Sequence, residues 1–130
     1  MWRVFYCPVF DKVQKCAMMV YIMAATPEKK VKDKVVKTLK EHGVYYFFPA
    51  TYGMGRSGVP DIICCVAGKF LAIECKAGRN QPTALQQREM ASITGAGGLA
   101  IVINEENLHE VGRAVQLLKN YADGRDEIGD

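Results

Sequence analysis

The stretch "GVPDIICCVAGKFLAIECKAG", residues 58–78, holds two apolar, β-rich runs on either side of Ala67-Gly68, with a carboxylate near each outer end. Two such runs around a glycine-bearing dipeptide predict a β-hairpin. If Ala67 and Gly68 form a two-residue loop, Val66 faces Lys69 and Asp61 falls opposite Glu74. Opposed residues on one face have Cβ atoms ~4.5–5.5 Å apart. Lys76 lies two residues beyond Glu74 and shares its face. A three-residue turn with a bulge would shift this count, so the alignment depends on the turn.

Two carboxylates held that close repel each other unless a cation sits between them. Hard oxygen ligands suit Mg²⁺ or Mn²⁺, ions that also bind phosphate oxygens. With an ammonium alongside, the set fits phosphodiester hydrolysis. The same residues also fit a charged strand end, with Asp61 capping a turn after Pro60 and Glu74 and Lys76 as a surface ion pair. Against that, Ile62, Ile63, Leu71, Ala72 and Ile73 make both faces of the hairpin apolar, and charges on central strands seldom lack a partner.

Outward from the hairpin, the chain alternates helix and strand signals. Thr26-Pro27-Glu28 opens a helix with an N-cap, a proline at the first helical position and an acidic first turn. Val31, Val35, Leu39 and His42 form its inner face, and Gly43 ends it. Lys29, Lys30, Lys32, Lys34, Lys37 and Lys40 read as its solvated faces. Residues 44–50 are aromatic and β-branched, hence a strand. Thr83 caps a second helix with Gln86, Met90 and Ile93 inward, stopped by Gly95, Gly97 and Gly98. Residues 99–104 are apolar throughout and predict a central strand. Residues 107–121 form a closing helix with Val111, Val115 and Leu118 inward. The order α-β-β-β-α-β-α predicts an α/β domain around a small mixed sheet.

Gly53, Gly55 and Gly58 have the spacing G-x-G-x-x-G of dinucleotide-binding loops. That loop needs a helix after the glycines to hold the phosphates. Here Pro60 and a β-rich run follow, and no G-K-[ST] ending is present. The glycines therefore serve backbone freedom and close approach.

With 130 residues, 49% hydrophobic and 24% charged, the chain has the size and composition of one folded domain. A net charge of +3 permits a polyanionic partner without demanding one. Cys7, Cys16, Cys64, Cys65 and Cys75 contain no C-x-x-C pair, so a reduced, cytoplasmic, non-secreted protein is expected. Residues 1–25 form an extension of odd composition, with a ten-residue apolar run at 16–25 too short to span a bilayer. They read best as a loosely attached or misassigned stretch ahead of a start at Met23, rather than as an extra packed element or a signal. The folded domain is expected at 26–122, with a frayed tail at 123–130. His42 and His109 stand apart and read as helix-face or surface residues.

The hairpin resembles the PD-(D/E)xK nuclease signature, Pro60-Asp61 followed by Glu74-Cys75-Lys76, and is most similar to VRR-NUC domains, the virus-type replication-repair nucleases. The likeness includes the Gly58-Val59-Pro60-Asp61 lead-in, "IECKAG", "PTALQ" with Gln86, the Gly97-Gly98 break and the first helix. It covers roughly residues 26–111. The resemblance implies a restriction-endonuclease-like core and an endonuclease dependent on Mg²⁺ or Mn²⁺. It makes Asp61, Glu74 and the Cys75 carbonyl metal ligands. Lys76 would handle the water or the transition-state charge, Gln86 would place water or substrate, and Glu28 matches an acidic residue on the family's first helix. Short members are similar to Holliday-junction resolvases and act as homodimers on branched DNA in replication, repair or recombination, often in phages. Arg56, Ser57 and Arg79 are the expected contacts to the DNA backbone, with Lys69 and Arg88 as lesser candidates. The rival readings are a non-catalytic nucleic-acid-binding module and a protein-interaction subunit using the apolar N-terminus.

Overall fold

The computed structural model describes residues 25–124; the expected extension over 1–25, except its last residue, and the expected tail over 123–130, except its first two, lie outside the described residues. The elements are α1 (Pro27–Glu41), β1 (Tyr45–Phe47), β2 (Ile62–Val66), β3 (Lys69–Cys75), α2 (Ala84–Gly95), β4 (Leu99–Ile103) and α3 (His109–Ala122). Their order matches the one expected. Thr26 Oγ1 accepts the Lys29 N–H and Pro27 opens α1, as the sequence requires.

The four strands lie side by side in the order β1-β2-β3-β4, antiparallel except for the β3–β4 pair. The hairpin turns at Ala67 (φ 49°) and Gly68 (φ 78°), both in the left-handed region that a two-residue hairpin loop demands. Val66 pairs with Lys69 and Ile62 with Ile73, so continuing the register places Asp61 opposite Glu74.

Alternate hairpin residues divide between two layers. Ile62, Cys64, Val66, Leu71, Ile73 and Cys75 face α1 and α3 and join Val31, Val35, Leu39, Val111 and Val115 in one buried core. Glu74 points to the other face, where α2 lies against β4. The result is an α/β domain, three helices around a mixed sheet, of the restriction-endonuclease-like kind.

Three expectations change. Among the described residues β4 is an edge strand, not a central one. Its apolar run reflects helices on both faces of the sheet, and cover on the faces says nothing about neighbours at the edge. β1 is shorter than the aromatic run suggested. Met90 and Ile93 are only half-buried, because α2 packs along the sheet margin. No described helix is long and apolar enough to cross a membrane.

Candidate active site

Asp61 closes the lead-in to β2, and its Oδ2 accepts the Cys75 N–H at 2.9 Å. This bond ties the first carboxylate to the strand that carries the second. Glu74 is the next-to-last residue of β3 and, among the described residues, the one buried charged side chain, 1% exposed. Glu74 Oε1 accepts from Lys76 Nζ at 3.0 Å and from Gln86 Nε2 at 2.6 Å. Its other oxygen, Oε2, is buried without a hydrogen-bond partner among the described residues. A buried carboxylate oxygen left unpaired is costly unless a further ligand completes it.

The first turn of α1 supplies the third carboxylate. Glu28 Oε1 stands 3.5 Å from Lys76 Nζ. One oxygen each from Glu28, Asp61 and Glu74 lie within 4.8 Å of one another. Three hard oxygen donors this close together, one of them from a carboxylate with an unpaired buried oxygen, fit a divalent ion such as Mg²⁺ or Mn²⁺. Burial pushes the Glu74 carboxyl up from the usual range, and the Asp61 charge adds to this against the pull of Lys76. Burial lowers the Lys76 ammonium pKa, but the Glu74 and Glu28 carboxylates outweigh it and raise it overall.

Gln86 reaches Glu74 because of how α2 begins. Thr83 Oγ1 accepts the Gln86 N–H while Gln86 Oε1 accepts the Thr83 N–H, a capping box. The box fixes the glutamine side chain, and its amide nitrogen is left to reach Glu74. Gly58 then presses the preceding loop against the same turn. A Cβ on Gly58 would lie 2.5 Å from the Leu85 carbonyl and 2.8 Å from the Gln86 nitrogen, and φ is +75°. Of the three glycines in the G-x-G-x-x-G spacing, Gly58 alone makes a close approach.

Of the expected DNA contacts, Arg56 and Ser57 line a cavity together with Gln86. Arg56 is exposed and paired with Glu89 of α2 through Nε–Oε1 at 2.7 Å. The bond and charge of Glu89 raise its already high pKa. Ser57 is exposed beside it, and Arg79 is exposed in the loop after β3. Lys32, read from sequence as solvated surface, stands instead at the site. Its Nζ lies 4.0 Å from Asp61 Oδ1 and 4.5 Å from the centroid of the Phe48 ring. Its spacing of one helical turn from Glu28 was the available signal. Glu89, the partner of Arg56, had no comparable signal.

The archaeal Holliday junction resolvase (Hjc) family matches residues 28–96, more than half of the chain and all of the site described above. The chain belongs to this family. It is also similar to a phage protein, "Putative nuclease p44" of Acyrthosiphon pisum secondary endosymbiont phage 1. The two are 35% identical over 85 residues, 65% of this chain and 88% of that protein. Membership in the resolvase family makes the chain a nuclease acting on DNA, the coarser part of what the motifs implied.

Proposed function

We propose that this resolvase-family protein is an endodeoxyribonuclease, dependent on Mg²⁺ or Mn²⁺, that cuts branched or structured DNA. The close grouping of Glu28, Asp61 and Glu74 oxygens, with Glu74 Oε2 buried and unpaired, carries this reading. Asp61, Glu74 and the Cys75 carbonyl are its proposed metal ligands, with Glu28 completing the acidic ring. Within the wider superfamily, the Gly58-Val59-Pro60-Asp61 lead-in and the Gln86 helix favour a VRR-NUC-like variant.

Held by Asp61, Glu74 and Glu28, a divalent ion would supply Lewis-acid stabilisation of charge at a scissile phosphate. Lys76 Nζ lies between Glu74 and Glu28, placed to handle the attacking water or to stabilise the transition-state charge. Gln86 positions Glu74 through its amide. Arg56, Ser57 and Arg79 serve as phosphate contacts, Arg56 by leaving Glu89 for the DNA backbone.

Symmetric cutting of two strands requires two such sites, which a homodimer provides. The protein would work on replicating or recombining DNA in the cytoplasm, that of the host if it is phage-encoded. The test is cleavage of a four-way junction, a flapped duplex and a plain duplex with Mg²⁺, with Mn²⁺ and with chelator. Cutting should need the metal and vanish in Asp61→Ala. An Asp61→Ala protein that is folded and fully active would refute the assignment. Light scattering on the purified protein measures the dimer.

A further inference from the structure

Beside the acidic cluster lies a cleft of about 430 Å³, lined by Thr26, Glu28, Lys32, Phe48 and Asp61 among others. One wall is the Phe48 ring, 49% exposed although large and apolar. It is braced by Tyr46, whose ring centroid is 5.8 Å away and tilted by 57°. Lys32 Nζ bridges this ring and Asp61. Neither Phe48 nor Lys32 has a part in the chemistry assigned above.

We infer that the cleft seats an unpaired nucleotide next to the scissile phosphate. The base lies on Phe48 and the phosphate meets Lys32. Three observations carry this. First, the exposed Phe48 ring beside the acidic cluster offers a stacking surface that every base can use once Lys32 Nζ leaves the ring for a phosphate. Second, the bases of an intact duplex keep their faces within the stack, so such a ring serves strands with nucleotides out of the stack. Third, an ammonium 4.0 Å from Asp61 competes with a metal ion for that carboxylate. With the metal in place, a phosphate is the partner of matching charge within the same cleft. The inference rests on the nuclease reading and names its substrate class: DNA carrying unpaired nucleotides at the cut, as in a flap or an opened branch point.

Binding with Ca²⁺ in place of Mg²⁺ tests the seat without cutting. The probes are a fluorescein-labelled duplex bearing a single-stranded flap and a fully paired duplex of equal length, followed by anisotropy. The wild type should prefer the flapped probe. Phe48→Ala and Phe48→Leu should weaken its binding about ten-fold and change duplex binding less than about two-fold. Phe48→Trp should restore it. Lys32→Met should weaken both probes and lower the slope of log K against log salt by about one. Thermal melts confirm that each variant is folded, and Leu keeps the apolar bulk if Ala does not fold. Equal loss on both probes in the Phe48 variants, no loss on either, or no flap preference in the wild type would overturn the seat. The nuclease reading fails separately, if metal-dependent cutting is absent or survives Asp61→Ala.

Discussion

Gln86 Nε2 donates to Glu74 Oε1 at 2.6 Å, linking the first turn of α2 to the buried end of β3. The same side chain closes the capping box through Oε1, so one glutamine both starts a helix and orients a carboxylate of the acidic cluster. Gln86→Ala should lower metal-dependent cleavage by about 10–100-fold, the usual cost of removing a group that holds a ligand in place. It should also cost about 0.5–1 kcal/mol of stability through the lost cap bond. Thr83→Ala separates the two effects. It loses only the hydroxyl's half of the box, so stability should fall by about 1 kcal/mol while cleavage stays within about three-fold. Steady-state cleavage and denaturant melts of both variants measure this.

Asp61→Asn keeps an oxygen able to accept the Cys75 N–H and removes a negative charge near Glu74. Metal-free stability should therefore stay within about 1 kcal/mol of the wild type. The rise in Tm on adding Mn²⁺ should be lost, since a ligand stabilises only a state that binds it. Cleavage should drop by about a hundred-fold or more. Thermal melts with and without Mn²⁺ give the first two results, and a cleavage assay the third. A wild-type Mn²⁺ shift in this variant would remove Asp61 from the ligand set.

The hairpin and its carboxylate pairing were legible because a period-two register counted from one turn fixes every cross-strand neighbour. The caps at Thr26 and Thr83 were legible because they are local chemistry. The edge position of β4 was not, since the order of strands depends on contacts distant in sequence, and an apolar run reports only what covers its faces. Lys32 was missed for a related reason. It belongs to a run of lysines whose members have similar local signals, and only the packing of α1 over the end of the sheet brings this one to Asp61. The Arg56–Glu89 pair likewise spans a loop whose path no pattern encodes.

Gly58 and its two companions in the glycine loop should separate under substitution. All three have positive φ, but only Gly58 faces backbone, at 2.5 Å from Leu85. Gly53→Ala and Gly55→Ala should each cost about 1 kcal/mol from conformation alone. Gly58→Ala adds a clash with the helix turn that carries Gln86 and should cost about 2–3 kcal/mol. It should also depress cleavage, by shifting Gln86 away from Glu74. Urea midpoints for the three variants decide this. Equal losses would mean that the loop does not rest on α2.

The thiols of the hairpin offer a test of the core that needs no substrate. Cys64 and Cys75 are buried, and Cys65, next to Cys64, is exposed. Burial pushes the Cys64 thiol up to about 12, and burial with the Asp61 charge does the same for Cys75. At pH 8, iodoacetamide should therefore label Cys65 within minutes, while Cys64 and Cys75 stay unmodified until urea unfolds the chain. Peptide mapping by mass spectrometry reads each site separately. The sign of the linked pH effect follows: a folded-state thiol pKa above the unfolded value means that the native state holds its proton longer. Stability should thus fall as pH rises from the ordinary thiol value of 9.0 towards about 12. Cys64→Ala should reduce that slope at some cost in packing. Rapid labelling of Cys64 in the native protein would show that the sheet's inner face is open.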